Sequence, residues 1–219
     1  MSLQIGQKAP LLKVAHWIQG DPVNFDQLSG RVVLVEVFQV NCPGCFLYAL
    51  PQAIDLYQRY SGQGLSVLGV ATAFEDFDKN NLENLTRLLE QGEVVGATHR
   101  IRDQQRKLVA DRLPFRIPFP VAIDRLQKRQ NRISQDEIST FIKQRFPDFN
   151  SIPESYKQQL RQQVQLYFQT LTFHAETFEL FELQGTPSHI LVDKQGLLRE
   201  CAFGTHPGLE ERVLNLLQE

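Results

Sequence analysis

The chain has 219 residues, of which 42% are hydrophobic and 22% charged, and its formal net charge is -2. A chain of this length can bury one substantial core, so we predict a single domain over residues 1–219. The small net charge argues against nucleic acid or an anionic membrane as the main partner. No stretch approaches about 18 consecutive apolar residues, and the start MSLQIGQKAP lacks the basic and apolar segments of an export signal, so we expect a cytoplasmic protein with no membrane span.

Extended and helical patterns alternate along the first half of the chain. Residues 11–25 predict an N-terminal β-hairpin. The run 31–38 is apolar on both alternating faces, which is typical of a central strand covered by helices on each side. Apolar residues then recur at helical spacing from about position 42 to about position 60 and predict a helix.

The same order continues with a strand at 65–71 and a helix at 81–91, and residues 118–123 predict a short edge strand. Strands that alternate with helices favour parallel pairing with right-handed crossovers. Near the end of the chain, the runs 188–193 and 197–203 predict a hairpin. A closing helix is predicted over 209–217.

A mostly helical insertion is predicted over residues 125–178. Ser134 and Glu137 form a capping box, in which each side chain satisfies a free amide at the start of a helix. A later helix carries one apolar stripe, formed by Tyr156, Leu160, Val164, Tyr167 and Leu171. The stripe either packs within the protein or docks a partner.

Cys42 and Cys45 are separated only by Pro43 and Gly44. Three cysteines are too few for a disulfide scaffold, so this pair indicates metal or redox chemistry. A disulfide that closes so short a loop adds less than about 2 kcal/mol of stability. Because Cys42 lies where a strand gives way to a helix, unpaired amides and the helix dipole favour its thiolate. Such a thiolate attacks a disulfide, and Cys45 then resolves the mixed intermediate.

Other interpretations of the cysteines stay open. The pair could bind zinc, but a structural zinc site needs four ligands, and the sequence offers no second CxxC and no closely spaced Cys/His pair. The pair could also have no function. Cys201 lies in a predicted strand and is either a buried core residue or a third redox thiol.

Glu36 stands in the middle of the first apolar strand. Burial makes a carboxylate costly to ionise and raises its pKa. A carboxyl group that is neutral near pH 7 can exchange protons with a thiol, so we predict that Glu36 stores the proton of Cys45. Alternatively, Glu36 reaches solvent or a lysine near the end of the strand.

Several stretches resemble the thioredoxin superfamily, and within it the TlpA-like branch related to alkyl hydroperoxide reductase and thiol-specific antioxidant (AhpC/TSA) proteins. The similar stretches are Lys8-Ala9-Pro10, residues 26–30, VVLVEVF followed by NCPGC, LSVLGVA and GTPSHILVDKQG. They span most of the chain apart from 125–178. The resemblance implies a three-layer α/β/α fold, in which a central mixed sheet of four or five strands lies between helices.

The resemblance also implies roles for individual residues. Cys42 would be the nucleophile, Cys45 the resolving thiol and Glu36 the buried acid of the family. Thr186-Pro187 resembles the cis-proline turn, which lies against the cysteines and contributes backbone groups to the bound substrate. The predicted substrate-binding residues are Pro43, Gly44, Thr186 and Pro187.

The implied activity is thiol-disulfide exchange without a cofactor or a metal. The partners would be a protein or small-molecule disulfide and an electron donor such as a thioredoxin reductase or a glutathione system. The chain departs from the family at Asn41, where a tryptophan usually supplies an apolar surface for substrates, and in its Pro-Gly dipeptide and long insertion.

Two further functions are alternatives. A peroxidase of the peroxiredoxin type needs a threonine or serine three residues before the attacking cysteine and a proline further upstream. The chain has Gln39 at that position and no proline in the preceding strand. A binding or sensing protein would use the redox pair to switch its insertion, and the apolar stripe motivates this alternative.

Overall fold

The computed structural model describes residues 3–129, 134–170 and 172–219. The strands are β1 Val14–Gln19, β2 Val32–Phe38, β3 Leu65–Ala71, β4 Val121–Asp124, β5 Leu126–Lys128, β6 Phe173–Ala175, β7 Ser188–Val192 and β8 Leu198–Phe203. The α-helices are α1 Leu50–Tyr60, α2 Leu82–Gln91, α3 Gly96–Gln104, α4 Gln135–Arg145, α5 Glu154–Thr170, α6 Glu176–Leu180 and α7 Leu209–Gln218. None of the described helices is long and apolar enough to cross a membrane.

Six strands form one mixed sheet in the order β1-β4-β3-β2-β7-β8, and β5 pairs with β6 in a separate two-stranded sheet. The strands β2, β3 and β4 are parallel, whereas β1, β7 and β8 join them in antiparallel pairs. All seven residues of β2 are buried, as expected for a central strand that is apolar on both faces. The sheet therefore has more strands than the four or five that the resemblance implies.

Side chains that alternate along β2 divide the core into two clusters. Val32, Leu34 and Phe38 point to one side, called here the first face, and pack against residues of α1, α2 and α7. Val33, Val35 and Val37 point to the second face, where residues of α6 pack on the sheet. The alternation follows from the pleat of a strand, which sends successive side chains to opposite faces.

The predicted N-terminal hairpin over 11–25 is wrong. Its first strand is β1, but β1 pairs with β4 rather than with a neighbouring strand. The side chain of Asn24 exchanges two hydrogen bonds with the backbone of Leu12, at 3.0 and 3.1 Å, in place of a second strand. The same pairing corrects the predicted edge strand at 118–123, because β4 lies inside the sheet between β1 and β3.

Contacts within the backbone divide the described chain into two compact units, of which the smaller is Gln127–His174. The predicted capping box starts α4: the Glu137 amide donates to Ser134 Oγ at 3.2 Å, and the Ser134 amide donates to Glu137 Oε2 at 2.8 Å. The core of this unit is formed by five side chains from α4 and α5. They are Ile138, Ile142, Leu160, Val164 and Phe168.

Only part of the apolar stripe predicted for α5 is buried. Leu160 and Val164 are buried, but Tyr156 is 59% exposed and Tyr167 is 40% exposed. Phe168 completes the buried row at an interval of four residues, and its ring packs 5.0 Å from that of Phe141. Leu171 lies outside the described residues. The buried part of the stripe is therefore packing within its own unit.

Candidate active site

The cysteine pair lies just beyond the carboxyl end of the central strand β2, and helical backbone begins at Pro43. Cys42 and Cys45 form a disulfide, with their Cα atoms 5.5 Å apart. Cys42 is partly exposed, whereas Cys45 is fully buried. A substrate can therefore reach the sulfur of Cys42, while Cys45 depends on protein groups for its proton.

The amide of Cys45 faces the first sulfur. It donates to the Cys42 carbonyl at 3.0 Å and lies 3.3 Å from Cys42 Sγ. A backbone N–H at the start of a helix stabilises a sulfur anion in this position. The chemistry that the sequence predicts for Cys42 thus has its donor in place.

The helix that carries the pair is irregular in its first turns. The segment Cys45–Ala49 is π-helical, and α-helical geometry begins at Leu50, whose amide donates to the Cys45 carbonyl. Pro51 has no N–H and removes one donor from the regular ladder. The wider turn lies directly before this residue. π-turns of this kind occur frequently at functional sites.

Glu36 is buried, with 2% of its surface exposed. Its place on β2, between Leu34 and Phe38, directs it to the first face, where Cys45 also packs. Burial raises the pKa of Glu36 well above its ordinary value. Among the described residues, Glu36 Oε1 has no hydrogen-bond partner. The alternative that Glu36 reaches solvent does not hold.

Strands on both sides of Glu36 place residues directly opposite it. Gly69 of β3 and His189 of β7 are its register partners. His189 is also buried, and its Nε2 atom lies 3.6 Å from Glu200 Oε1. Burial lowers the pKa of His189 to about 4, so the ring is neutral near pH 7.

Sequence reasoning assigned no role to His189. The signal that identifies it is the one that identified Glu36, namely a titratable residue inside an apolar strand. The run Ser188-His189-Ile190-Leu191-Val192 is buried throughout.

The turn before β7 approaches the cysteine loop. The peptide bond between Thr186 and Pro187 is cis. A Cβ atom placed on Gly44 would lie 3.5 Å from Pro187 Cδ, so these two predicted site residues are in close proximity. Thr186 is partly exposed, as is Pro43 in the cysteine loop. The structure thus brings the Thr186-Pro187 turn against the CxxC motif.

An exposed aromatic side chain lies beside this turn. Phe203 ends β8, pairs with Ser188 and is 54% exposed. Its ring lies directly against Gly185, where a Cβ atom would collide with it. The amide of Gly204 donates to the Pro187 carbonyl at 2.8 Å, which fixes the two segments side by side. Sequence analysis missed this apolar surface, because the β7–β8 pairing alone does not reveal the contact with Gly185.

Asn41, which precedes the cysteine pair, serves as a polar junction. Its side chain donates to Asp76 Oδ2 at 2.6 Å and accepts from the Ala97 amide at 2.7 Å. Its own amide donates to Asn80 Oδ1 at 2.8 Å. Asn41 therefore ties the cysteine loop to the 76–80 segment and to the start of α3.

Cys201 does not join the pair. It lies opposite Ile190 and packs toward the second face, away from Cys45. Burial raises the pKa of its thiol to about 12, which disfavours a reactive thiolate. No group of three or more His, Cys, Asp or Glu side chains in the described ranges is arranged to hold a metal ion.

Comparisons with known proteins agree on the fold. No family model matches the chain. It is 32% identical over 77 residues to the protein FixW of Rhizobium leguminosarum, a match that covers 34% of this chain and 33% of FixW. The match thus spans only a third of that relative.

Two solved structures align along nearly the whole chain. A thioredoxin-like superfamily protein gives a TM-score of 0.59 at 22% identity, with 97% of each chain covered. A thiol-disulfide isomerase from Corynebacterium glutamicum gives a TM-score of 0.57 at 26% identity, with 96% of this chain and 97% of that chain covered. The predicted thioredoxin-like α/β fold with a central mixed sheet is confirmed.

Proposed function

We propose that this chain, whose fold is that of the thioredoxin superfamily, is a thiol-disulfide oxidoreductase that works through Cys42 and Cys45. The observation that carries the proposal is the pairing of a partly exposed and a fully buried cysteine in one disulfide at the end of the central strand. The similarity to a thiol-disulfide isomerase over nearly the whole chain supports it.

The proposed cycle begins with the thiolate of Cys42, which attacks one sulfur of a substrate disulfide and releases the other as a thiolate. Cys45 then loses its proton to Glu36 in its carboxylate form and attacks Cys42 Sγ. This second attack forms the protein disulfide and releases the rest of the substrate as a second thiolate. Two electrons pass to the substrate, and one proton passes from Cys45 to Glu36.

The substrate would bind across the surface around Cys42. We propose that Pro43, Gly44, Thr186 and Pro187 form its floor and that the exposed ring of Phe203 extends it. Such a surface favours a polypeptide disulfide. Within the superfamily we assign the chain to the TlpA-like branch, acting as a reductase in the cytoplasm with electrons from a thioredoxin reductase or a glutathione system.

Insulin reduction tests the proposal. Cys42→Ser should abolish the activity, because no other described cysteine shares the exposure of Cys42 and its helix amide. Cys201→Ser is the matched control and should retain the parental rate, since its thiol faces away from the pair. A Cys42→Ser variant as active as the parent would refute the proposed function.

A further inference from the structure

Glu36 must exchange protons with solvent in every cycle if it serves Cys45, and its own exposure does not allow this. Only 2% of its surface is accessible, and burial raises its pKa well above the ordinary value, which favours the protonated form. A protonated carboxyl group cannot accept the proton of Cys45. It must first release its own proton through a neighbouring group that can carry one.

His189 is the titratable group beside Glu36. The two residues are direct partners in the antiparallel register of β2 and β7, which places their side chains on the same face at Cβ separations of about 5 Å. Leu191 shows the direction of the alternation on β7, because it packs in the first-face cluster that also contains Cys45. Glu36, His189 and Cys45 therefore share one side of the sheet.

The titratable groups that neighbour the His189 ring lie closer to the surface. Among the described residues the Nε2 atom of His189 meets no hydrogen-bond partner at hydrogen-bonding distance, but it lies 3.6 Å from Glu200 Oε1. The ring centroid of His189 lies 4.9 Å from that of the partly exposed His206. Glu200 is paired with Arg212 of α7, whose side chain is 48% exposed. The strand register and these contacts thus place titratable groups on one side of the sheet, from the buried carboxyl group of Glu36 to the partly exposed His206.

We propose that His189 relays protons between Glu36 and the partly exposed residues Glu200 and His206. A neutral imidazole has one N–H and one acceptor nitrogen, so it can take a proton on one side and release another on the opposite side. The charged groups that face His189 are Glu36 from β2, Glu200 from β8, His206 from the loop before α7 and Arg212 from α7. This proposal rests on the proposed function, because it assumes that Cys45 delivers its proton to Glu36.

The relay balances the exchange cycle. Glu36 loses its proton to His189, and His189 passes a proton to Glu200 and then to water. Glu36 is then a carboxylate. That carboxylate takes the proton of Cys45 when its thiolate attacks Cys42. After the substrate has left, the relay removes this proton from Glu36 and restores its carboxylate for the next cycle. In this relay His189 acts only through Glu36, so it is a positioning residue rather than a catalytic one.

The test uses the reduced protein with Cys201→Ser as background and 5,5′-dithiobis(2-nitrobenzoate) as the disulfide. Attack by Cys42 releases the first nitrothiolate, and attack by Cys45 releases the second, so stopped-flow absorbance separates the two steps. At pH 7, His189→Gln should slow the second phase on the order of tenfold, less than the loss of a direct general acid–base group. The first phase should be unchanged. The deficit should shrink toward pH 9, where hydroxide removes the proton directly.

A double-mutant cycle gives the decisive comparison. The Glu36→Gln variant has no carboxyl group with which His189 could exchange a proton. Adding His189→Gln to it should therefore slow the second phase by less than a further factor of about two. Equal slowing of both phases, an unchanged second phase, or full slowing by His189→Gln in that background would each overturn the relay.

Failure of the proposed function would look different, because Cys42→Ser would then reduce insulin at the parental rate. If His189→Gln does not fold, as judged by circular dichroism, Glu200→Gln is the second variant. It leaves the histidine in place and should slow the second phase selectively. An unchanged second phase in that variant would count against the relay.

Discussion

At the scale of single residues, the energetics of the site depend on the buried carboxyl group of Glu36. Desolvation raises the pKa of Glu36, and no hydrogen bond to Oε1 from the described residues offsets this. In the unfolded chain the same group ionises near its ordinary value. Above that value the folded state holds a proton that the unfolded state has lost, so Glu36 destabilises the fold increasingly as pH rises.

Glu36→Gln should remove this pH dependence. At pH values between the ordinary pKa of Glu36 and its raised pKa, the free energy of unfolding of the variant should rise relative to that of the parent by up to about 1.4 kcal/mol per pH unit. The difference in free energy of unfolding should therefore be larger at pH 8 than at pH 5, measured by urea titration of the reduced proteins. Glu211→Gln, at an exposed position of α7, is the control and should change the free energy of unfolding by the same amount at pH 5 and at pH 8. A Glu36→Gln difference that does not change with pH would mean that the carboxyl group is ionised in the folded state.

Asn41→Asp should loosen the junction before the cysteines. An aspartate at this position cannot donate to Asp76 Oδ2 and sets two carboxylates 2.6 Å apart. We expect a loss on the order of 2 kcal/mol in the free energy of unfolding, and slower alkylation of Cys42, because an added negative charge disfavours its thiolate. The compensating change Asp76→Asn, added to Asn41→Asp, should restore most of both quantities. If the double variant is no better than the single one, the 41–76 hydrogen bond does not carry the effect.

At the scale of secondary structure, the two central strands leave no spare volume beside Glu36. Gly69 of β3 is its register partner, and the glycine is closely surrounded by apolar side chains. A Cβ atom at this position would lie 3.1 Å from Val121 Cγ2 and 3.3 Å from Phe119 Cε2. The absence of a side chain at position 69 thus lets the core close around the buried acid.

Gly69→Ala should overpack this core and lower the free energy of unfolding by about 1–3 kcal/mol. Gly62→Ala is the matched control, because nothing lies within 4 Å of the Cβ that it would add. The control should stay within about 0.5 kcal/mol of the parent. Chemical denaturation of both variants makes the comparison, and similar values for the two would show that the core around β3 can relax.

Local patterns predicted the elements whose contacts are encoded in their own residues. The apolar run at 65–71 matches β3 residue for residue, and the capping box at Ser134 starts α4 as expected. Pairing between distant segments was harder to predict. The alternation of β1 does not reveal that its partner is β4, about a hundred residues later in the chain, and the hairpin prediction failed for this reason.

The site shows the same division. Cys42 and Cys45 were identified from sequence by their spacing, and Glu36 because it interrupts an apolar strand, so one short stretch contains both signals. The register pairing of Glu36 with His189, by contrast, joins positions 36 and 189, and no local pattern encodes it. Residues that contribute through such pairings become visible only in the folded chain.

At the scale of the whole molecule, the insertion has its own core, and its ends are joined by local pairing. β5 and β6 form a two-stranded sheet, and the Arg129 amide donates to the Thr172 carbonyl at 3.0 Å. Closing a short linker at such a position costs little chain entropy. The larger unit contains the whole six-stranded sheet and the pair Cys42 and Cys45.

Replacing residues 130–171 with a short Gly/Ser linker should leave a folded protein with an intact redox pair. We expect a cooperative unfolding transition and a rate of nitrobenzoate disulfide reduction within about twofold of the parent, because the sheet and the cysteine loop keep their own contacts. A folded deletion variant that no longer reduces this small disulfide would assign the insertion a direct part in the reaction. Insulin reduction by the same variant would then show whether polypeptide substrates depend on the insertion.

The central claim is that Cys42 and Cys45 interconvert between dithiol and disulfide as one two-electron couple. Equilibration in glutathione buffers of graded potential, followed by acid quenching and mass spectrometry, measures this directly. The claim predicts one transition between about -270 and -120 mV, unchanged in Cys201→Ser and lost in both Cys42→Ser and Cys45→Ser. Two thiols that form separate glutathione adducts across the range, with no Cys42–Cys45 disulfide, would contradict it.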